Sequence, residues 1–503
     1  MAGAAAALVA LRRADGGGLA CAAAAALAAA SHDRLCGAGL SARHGAELLQ
    51  GLADGPGPDQ CLLLGFCGHR GPTGSGIGFG RQPRDGCDLE DSPGASMKLL
   101  VLGHPYAVAY LQRKFVVIQQ VGANVSLRLL VPRAVPHPFR TYPHEVHPQL
   151  TAEQVPALRS ALWYSHMTYL LDPLALAQHL RTFAPDVIHI EEEPQAFVTV
   201  ETLLLRRRYA PQAAVTLFTW DNLLRRRAFP LNTGKARLRA FSLRRTTAVI
   251  CGNSEAARLL REEGRFTGPV TVLPQQGLDP VEHAAHPEPE LRRALGLDAS
   301  LCVGYAGRLI PEKGIRLLLL ALGGLLHLPW KLLLVGSGPL EREIREDWMA
   351  RYPGRIVQIP AVPHEQVPRY LRAMDIFVLA SYRTPKWKEQ FGLALAQAMM
   401  VGRPSVVSDS GAIPEVAGPG ALVVPEGNVA ELRHALQVLL TSAALRDLLG
   451  QRAREFALSR YAMTAVAAGY CQVFAQAQEL HRRQAVRTGA VERREPPEKV
   501  LVQ

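Results

Sequence analysis

The feature that most constrains the fold of this chain is an alternation of short apolar runs with amphipathic segments, which occurs twice in series. The first series opens at Met97 with the run Met97–Gly103, a pattern typical of a buried parallel strand, and closes at Val270–Leu273. The second series restarts at Leu301 after a linker over residues 274–289. Strands that alternate with helices favour parallel sheets covered by helices on both faces.

The predicted elements of both series are short. The first series contains predicted strands at Val125–Pro132, Asp186–Ile190, Ala214–Phe218, Ala248–Cys251 and Val270–Leu273, and predicted helices that include Asp172–Phe183 and Glu255–Glu263. The second contains predicted strands at Leu301–Tyr305, Lys331–Val335, Ile356–Ile359, Ile376–Leu379, Ser405–Ser408 and Ala421–Val424, and predicted helices at Ile315–Leu325, Pro339–Met349, Val367–Ala373, Leu393–Val401 and Val429–Leu440. We therefore predict an α/β protein of two Rossmann-like domains that face each other across a cleft.

Changes in composition divide the chain into five parts. Residues 1–96 hold Ala runs and Gly- and Pro-rich stretches, and we interpret them as a poorly ordered extension or as a spurious product of an over-long gene prediction. The two predicted domains occupy residues 97–285 and 298–460. A predicted C-terminal helix over 461–482 crosses back to the N-terminal domain, and residues 483–503 form a predicted flexible tail.

The net charge of +12 is concentrated in one basic segment, between Arg206 and Arg245. A basic face attracts nucleic acid, anionic lipid or a phosphorylated ligand, whereas solvated helix faces are the alternative interpretation. No zinc-finger, helix-turn-helix or RNA-binding signature accompanies the charge, so the sequence disfavours nucleic acid as a partner.

The cysteines and the apolar runs bear on the compartment. Eight cysteines show no metal-ligand spacing and no evident disulfide framework, and we predict no metal site. Cys251, Cys302 and Cys471 lie within apolar patterns and are expected to be small buried side chains. The run Leu317–Leu326 is far shorter than the roughly 20 residues of a membrane-spanning helix. We therefore predict a cytoplasmic protein, either free or attached peripherally to the inner face of the cell membrane.

The first chemistry-bearing motif is the loop that follows the strand at Leu301–Tyr305. It runs Gly304-Tyr305-Ala306-Gly307-Arg308-Leu309-Ile310-Pro311-Glu312-Lys313-Gly314. Glycines let a backbone approach a ligand closely, and Arg308 and Lys313 place two positive charges before a predicted helix N-terminus. This arrangement suits a pyrophosphate, although the two cations alternatively just cap the loop.

Three further loops stand at predicted strand ends. The turn Gly336-Ser337-Gly338 precedes a predicted helix and is weak as a signal on its own. The segment Glu389-Gln390-Phe391-Gly392-Leu393 precedes a helix that carries Gln397, and its carboxylate is suited to accept hydrogen bonds from sugar hydroxyls. The loop Gly411–Glu415 follows the strand at Ser405–Ser408.

These loops together resemble those of the family 4 glycosyltransferases of GT-B fold. The resemblance covers residues from about 97 to about 475 and is densest from Gly304 to about residue 425. It implies a retaining, metal-independent transfer from a UDP- or GDP-sugar, without a further cofactor. The donor is bound mostly by the C-terminal domain, and the acceptor is a saccharide or a lipid-linked saccharide in polysaccharide or glycoconjugate biosynthesis.

The resemblance also assigns roles by position. Arg308 and Lys313 correspond to residues that hold the diphosphate, and Glu389 corresponds to the residue that contacts the transferred sugar; these three are the expected catalytic residues. Position 397 corresponds to the contact with the ribose hydroxyls. The remaining expected donor contacts are Gly307, Gly336, Gly338, Phe391, Gly392 and Leu393.

The chain departs from the family pattern at three places. Gln397 stands where the family has a second glutamate, and loss of the charge weakens a ribose contact by about 1 kcal/mol. Trp220 replaces the histidine of a His-Asp pair, and Gly103-His104-Pro105-Tyr106 replaces a glycine-rich loop. These changes keep two alternatives open, a catalytically silent GT-B scaffold or regulator and a nucleotide-sugar epimerase.

Two histidines and an acidic cluster complete the candidates on the N-terminal side. His104 and His189 are expected at strand ends facing the cleft, either as ligand contacts or as structural residues. Glu191, Glu192 and Glu193 are interpreted as a solvated loop rather than as a general base, with binding of acceptor hydroxyls by one of them as an alternative. By the resemblance, the leaving diphosphate takes the acceptor proton, so that no strong base is required.

Overall fold

A computed structural model describes residues 96–122, 124–133, 146–158, 167–223 and 231–487 of the 503-residue chain. The interpretations of the N-terminal extension up to residue 95 and of the tail beyond residue 487 lie outside these ranges. So do Arg225, Arg226 and Arg227 of the basic segment. Among the helices within these ranges, none has the length and apolar character that crossing a membrane requires.

The N-terminal half contains a seven-stranded parallel sheet. Its strands are β1 (Met97–Leu102), β2 (Val125–Pro132), β3 (Ala152–Val155), β6 (Val187–Ile190), β7 (Ala214–Thr219), β8 (Ala248–Cys251) and β9 (Val270–Val272). The strand order is β3-β2-β1-β6-β7-β8-β9, and every neighbouring pair is parallel. Two short strands, β4 (Ala157–Leu158) and β5 (Leu170–Leu171), form a separate antiparallel pair.

Helices cover both faces of this sheet, which is why its strands are apolar throughout. The helices are α1 (Ala109–Val121), α2 (Pro173–Phe183), α3 (Phe197–Tyr209), α4 (Leu231–Leu243) and α5 (Ser254–Glu262). Leu100 and Leu102 of β1 enter the core against α2 and α3, while Leu99 and Val101 enter the core that contains Phe115 of α1. Sequence-local caps fix two of the helix starts. The side chain of Asp172 accepts from the amides of residues 174 and 175, and that of Asn253 accepts from the amide of residue 256.

The C-terminal half contains a six-stranded parallel sheet. Its strands are β10 (Leu301–Ala306), β11 (Trp330–Val335), β12 (Ile356–Ile359), β13 (Ile376–Leu379), β14 (Ser405–Ser408) and β15 (Ala421–Val424), in the order β12-β11-β10-β13-β14-β15. The helices of this half are α6 (Pro289–Ala294), α7 (Ile315–Gly323), α8 (Glu341–Glu343), α9 (Met349–Arg351), α10 (Val367–Arg372), α11 (Leu393–Met400), α12 (Ile413–Ala417) and α13 (Val429–Thr441). The prediction of two Rossmann-like units is confirmed.

One predicted helix differs in detail. The sequence predicts a single helix over Pro339–Met349, but the structure has α8 and α9 separated by a π-helical turn at Ile344–Trp348. The turn buries both of its apolar ends, Ile344 and Trp348, against the C-terminal core. A π-helical turn within an α-helix is rare, and no local pattern of the sequence predicts it.

The last two helices, α14 (Ala443–Tyr461) and α15 (Met463–Arg487), connect the halves. α15 buries Tyr470 and Phe474 in the same core as Leu99 and Phe115, so this helix packs on one face of the N-terminal sheet. Leu278, in the linker, donates to the carbonyl of Tyr461 and accepts from the amide of residue 463. The linker and the break between α14 and α15 are thus held together by backbone hydrogen bonds.

Candidate active site

The strand order of the C-terminal sheet reverses between β10 and β13. In open parallel sheets, ligands bind in the crevice outside the carboxyl ends of the strands at such a switch point. The loop after β10 carries Lys313 and the segment after β13 carries Glu389. The structure brings these two predicted residues into direct contact, with Lys313 Nζ 2.6 Å from Glu389 Oε2.

The surroundings of this ion pair leave one carboxylate oxygen of Glu389 available to a ligand. Glu389 Oε2 also accepts a hydrogen bond from Ser381 Oγ at 3.1 Å, and Lys313 Nζ lies 5.2 Å from the centre of the Trp387 ring. The side chains of Lys313 and Glu389 are 15% and 8% exposed. Within the described part of the chain, Glu389 Oε1 accepts no hydrogen bond. One carboxylate oxygen is therefore fixed by two donors, and the other is available to a ligand hydroxyl.

The glycines of the first two loops hold these loops against each other. Gly307 donates to the carbonyl of Val335 at 2.9 Å, and a Cβ at Gly336 would lie 1.9 Å from the carbonyl oxygen of Gly307. Gly336 also has φ 142°, where side-chain-bearing residues are strained. The amide of Gly338 is taken by Glu341 Oε1 at 2.7 Å. Gly336 and Gly338 therefore serve packing between the two loops. The sequence alone does not separate this role from ligand binding.

Arg308 projects from the same loop in an exposed position beside the exposed Gly307. Its backbone carbonyl accepts a 2.8 Å hydrogen bond from the hydroxyl of Tyr305. Burial, with a further contribution from the charge of Glu389, raises the pKa of Tyr305, so this hydroxyl stays protonated and keeps donating. The loop that presents Arg308 is therefore anchored to the core at the preceding strand.

The start of α11 lies directly after Glu389. Gly392 is its N-cap with φ 86°, and no side chain caps the helix there. The open amides at this N-terminus favour an anion. Leu393 is the first helical residue, and the ring of Phe391 packs between Trp220, at 5.9 Å, and Tyr461, at 5.6 Å.

Gln397, the altered ribose position, is buried and bonded within the chain. Its Nε2 lies 3.3 Å from Nε2 of His283, a linker residue that the sequence analysis did not single out. His283 Nδ1 lies 2.9 Å from the carbonyl of Asp279, which only accepts, so Nδ1 carries the proton and Nε2 accepts from Gln397. Burial lowers the pKa of His283, which fits this neutral ring. The amide nitrogen of Gln397 therefore faces the linker.

The N-terminal sheet has its own switch point, between β1 and β6. His104 follows β1 and Glu192 follows β6, and both Nδ1 and the backbone amide of His104 lie 2.7 Å from Glu192 Oε1. The hydroxyl of Tyr169 donates to the same oxygen at 2.7 Å. Burial lowers the pKa of His104, but the charge and hydrogen bond of Glu192 outweigh it and raise the pKa overall.

The interpretation of Glu191, Glu192 and Glu193 as a solvated loop is wrong, because the first two are buried and all three have partners. Glu191 forms a fully buried ion pair with Lys114 of α1. Burial raises the pKa of Glu191, but the Lys114 charge and the bonded His189 outweigh it and lower the pKa to about 2. Nothing in the sequence of α1 marks Lys114 as buried.

The expectation that His189 faces the cleft is also wrong. The ring is fully enclosed, with Nδ1 2.8 Å from Thr216 Oγ1 and Nε2 3.0 Å from Glu191 Oε1. It meets the rings of Tyr470 and Phe474 on α15 edge-on. Because residues alternate between the two faces of a strand, His189 points into the layer beneath α15 rather than past the strand end.

The prediction that three cysteines are buried has a mixed outcome. Cys251 and Cys302 are buried as predicted, whereas Cys471 is only half-buried. Among the side chains that the structure describes, no group of three or more His, Cys, Asp or Glu residues is arranged to hold a metal ion.

Comparisons with known proteins bear on both halves of the chain. A family model described as "Glycosyl transferases group 1" matches residues 288–456, and one described as "Glycosyl transferase 4-like domain" matches residues 116–275. The 2-deoxystreptamine N-acetyl-D-glucosaminyltransferase of Streptomyces fradiae is 28% identical over 351 residues, 60% of this chain and 77% of that protein. The alpha-D-kanosaminyltransferase of Streptomyces kanamyceticus is 26% identical over 181 residues, 35% of this chain and 46% of that protein.

A solved structure agrees in fold. The crystal structure of Anabaena HepE in complex with UDP has a TM-score of 0.59 and 16% identity, covering 76% of this chain and 100% of that one. The matches of the two family models are separated by the linker between the two sheets, and the group 1 match includes both segments that meet at Lys313 and Glu389. The chain therefore belongs to the family 4-like glycosyltransferases of GT-B fold.

Proposed function

We propose that the protein is a retaining glycosyltransferase that moves a sugar from a UDP- or GDP-sugar to a saccharide or lipid-linked acceptor in glycoconjugate biosynthesis. The observation that carries the proposal is the Lys313–Glu389 pair at the switch point of the second sheet, with exposed Arg308 on the same loop as Lys313. The name of the Streptomyces fradiae relative describes transfer of an N-acetylglucosaminyl group, and HepE was crystallised with UDP. Both are consistent with a nucleotide-sugar donor here.

The roles follow from charge and geometry. Arg308 and Lys313, with the open N-terminus of α11, bind the diphosphate, because all three present positive charge or N–H donors. Glu389 accepts a hydrogen bond from a hydroxyl of the transferred sugar through its available Oε1. Since Lys313 contacts Glu389, the diphosphate and the sugar lie next to each other, as they do in the donor itself.

The chemical step breaks the bond between the anomeric carbon and the diphosphate oxygen and forms a bond to the acceptor oxygen on the same face. Negative charge develops on the departing diphosphate, where Arg308 and Lys313 stabilise it without a metal ion. The acceptor proton passes to the departing diphosphate oxygen. Glu191 and Glu192 are excluded as the base because both are buried and bonded to cations or hydroxyls of their own domain.

We also propose peripheral contact with an anionic membrane through the basic segment. Arg206, Arg207, Arg244 and Arg245, with Leu203, line a cavity of about 480 Å³. The four arginines lie at the end of α3 and just after α4, near the amino ends of β7 and β8. Glu389 lies beyond the carboxyl end of β7, where Asn222 contacts its backbone. The six residues of β7 span about 20 Å, so this surface suits an anchor rather than the reacting end of an acceptor.

The proposal is tested by incubating the protein with UDP- and GDP-sugars and candidate saccharide acceptors, with and without EDTA. We expect one donor to raise the melting temperature and to be turned over, with EDTA having no effect, and Arg308→Ala to lose both responses. No response to any donor, with Arg308→Ala indistinguishable from the parent, contradicts the proposal. Loss of turnover in EDTA contradicts the metal-independent step alone.

A catalytically silent GT-B scaffold or regulator is the second candidate, because two positions that depart from the family are used inside the chain. Gln397 is bonded to His283, and the indole of Trp220 packs on Phe391. This candidate predicts nucleotide binding without turnover, and no gain from Gln397→Glu. An epimerase is distinguished in the same assay, because it converts its nucleotide sugar without an acceptor.

A further inference from the structure

Residues 388–392, which include Glu389 and are called the donor segment below, are held by side chains of the N-terminal domain. Asn222, which follows β7, donates from Nδ2 to the carbonyl oxygen of Glu389 at 2.8 Å. Asn253, which follows β8, donates from Nδ2 to the carbonyl oxygen of Gln390 at 2.9 Å. Both asparagines are buried, at 3% and 1% exposure, so water does not compete freely for these bonds. Two successive peptide groups of the donor segment are thus fixed from across the cleft.

Trp220 adds an apolar and a polar contact to the same segment. Its ring lies 5.9 Å from that of Phe391, and its carbonyl accepts from Gln390 Nε2 at 3.2 Å. The indole fits because residue 252 is glycine: a Cβ there would lie 1.9 Å from the indole ring. The residue that departs from the family pattern at position 220 is therefore used to hold the donor segment.

Charged groups flank these central contacts. The amide and hydroxyl of Ser254 each donate to the carboxylate of Glu415 at 2.9 Å, and Lys388 Nζ lies 2.5 Å from Glu255 Oε1. These contacts are more exposed and add less per pair than the buried amide bonds. Both contacts come from the two residues that follow Asn253, so the start of α5 and the C-terminal domain are joined by charged as well as neutral hydrogen bonds.

The contacts restrain the backbone of Glu389 while leaving its side chain to the donor. The carbonyl of Glu389 also accepts from the amide of Ala412 at 3.2 Å, so its peptide is fixed from both domains. Fixing the peptide sets the direction in which the side chain leaves it, and hence where the carboxylate meets Lys313. A group that must contact a sugar hydroxyl has to be held to within about 0.5 Å.

We propose that Asn222 and Asn253 are positioning residues of the N-terminal domain, which hold the donor segment so that the Glu389 carboxylate is correctly placed. The expected effect on catalysis rests on the proposed function. The restraint of the backbone by the two asparagines does not depend on that function. The consequence is that the acceptor domain helps to form the donor site.

The experiment compares Asn222→Ala, Asn222→Asp and Asn253→Ala with the parent and with Gln451→Ala, a control that removes an exposed amide on α14. Asn222→Asp keeps the shape but replaces the N–H donor by an acceptor facing a carbonyl oxygen. We expect all three test variants to lower kcat by about 10- to 100-fold with a smaller change in donor KM, because a misplaced group affects the chemical step most. Gln451→Ala should match the parent.

A second readout does not depend on turnover. Hydrogen exchange of the amides at residues 388–392 should become several-fold faster in the test variants and stay unchanged in Gln451→Ala, with melting temperatures within a few degrees. An active parent with unchanged kcat in Asn222→Asp overturns the positioning role and leaves the proposed function intact. An inactive parent contradicts the proposed function, and hydrogen exchange alone then tests the restraint. Faster exchange in the test variants supports the restraint, and unchanged exchange overturns it.

Discussion

The two switch points of the molecule place charged pairs at the same topological position but use them differently. At the N-terminal switch point, the Glu192 side chain is 1% exposed and one of its carboxylate oxygens is held by both His104 and Tyr169, while the neighbouring Glu191 is paired with Lys114 in full burial. At the C-terminal switch point, Glu389 keeps an available oxygen beside Lys313. The same fold position thus serves as rigid support in one domain and as a candidate binding site in the other.

The support and the site are joined by a short chain of hydrogen bonds. Glu191 Oε2 accepts from Gln275 Nε2 at 2.8 Å, and Gln275 Oε1 accepts from Trp220 Nε1 at 3.1 Å. Trp220 then contacts Gln390, next to Glu389. The buried N-terminal cluster therefore helps to hold the residues that contact the donor segment. We therefore expect substitutions at the N-terminal switch point to lower stability and substitutions at the C-terminal switch point to lower catalytic activity.

The largest expected effect is on stability, from Lys114→Met. Removing one partner of a fully buried pair leaves Glu191 uncompensated, and we expect the free energy of unfolding to fall by about 3–5 kcal/mol. Urea unfolding measures this, with Lys98→Met, which removes an exposed lysine on β1, as the control. The double variant Lys114→Met/Glu191→Gln should recover part of the loss. If both lysine variants unfold at the same urea concentration, the pair does not support the fold.

The next effect is on catalysis, from Lys313→Met. Loss of a cation aimed at the diphosphate should lower kcat/KM by about 10²- to 10³-fold. Because Ser381 still donates to Glu389 and the pair is not fully buried, the free energy of unfolding should fall by about 1–3 kcal/mol, less than for Lys114→Met. Arg316→Met, which removes an exposed cation on α7, is the matched control. A stability loss as large as that of Lys114→Met would erase the contrast between the two switch points.

A smaller effect is expected on the pH dependence of stability, through the titration of Glu193. Burial, then the nearby charge of Asp221, raises the pKa of Glu193 from 4.5 to about 7. The folded protein therefore binds more protons than the unfolded chain between these pH values, and Glu193 lowers stability as pH rises through that window. Glu193→Gln should reduce the fall in melting temperature between pH 5 and pH 8, whereas Glu262→Gln, at an exposed site, should not.

Glu193 also links this titration to the donor segment. Its carboxylate accepts from Thr219 Oγ1 at 2.5 Å and from the amide of Trp220 at 3.1 Å. Burial likewise raises the pKa of Glu201 to about 7, so part of the pH dependence should remain in Glu193→Gln. An unchanged pH profile in that variant contradicts the assignment of the titration to Glu193.

The smallest effect is expected from Gln397→Glu. A carboxylate facing His283 Nε2 stabilises the protonated imidazole, so the donor KM should become dependent on pH between about 6 and 8. The change at any one pH should stay within about 10-fold, since it replaces one hydrogen bond by a charged one. Initial rates at several donor concentrations and pH values measure it. A gain of 100-fold would mean that position 397 contacts the donor directly.

Much of the fold was predictable because buried parallel strands are nearly continuous apolar runs. The bounds of β2, β8 and β12 to β15 agree with the predicted strands to the residue. The helix α3 was not predicted, because its buried face includes Thr199, Glu201 and Thr202 and shows no clear apolar stripe. These polar groups are satisfied locally or by neighbours: Thr202 Oγ1, for example, donates to the carbonyl of Val198 at 2.7 Å.

The candidate site likewise has residues that the sequence identifies and residues whose surroundings only the structure shows. Arg308, Lys313 and Glu389 were found from the sequence because each stands in a short motif after an apolar strand, and the strand end is a local feature. Their arrangement followed in outline, since carboxyl ends of neighbouring parallel strands meet at one edge. Whether Gln397 and Trp220 face a ligand did not follow, because the sequence does not show what lies against them.

The sequence by itself therefore determined the two parallel sheets, their division at the linker and the loops that carry the donor-site candidates, since all of these follow from local periodicity and turn chemistry. Only the tertiary structure decided which polar groups are enclosed and by what. The bonds from Asn222 to Glu389 and from Gln397 to His283 join residues 167 and 114 positions apart. Such pairs form because packing brings distant elements together and buried polar groups then require partners, and no local pattern encodes that requirement.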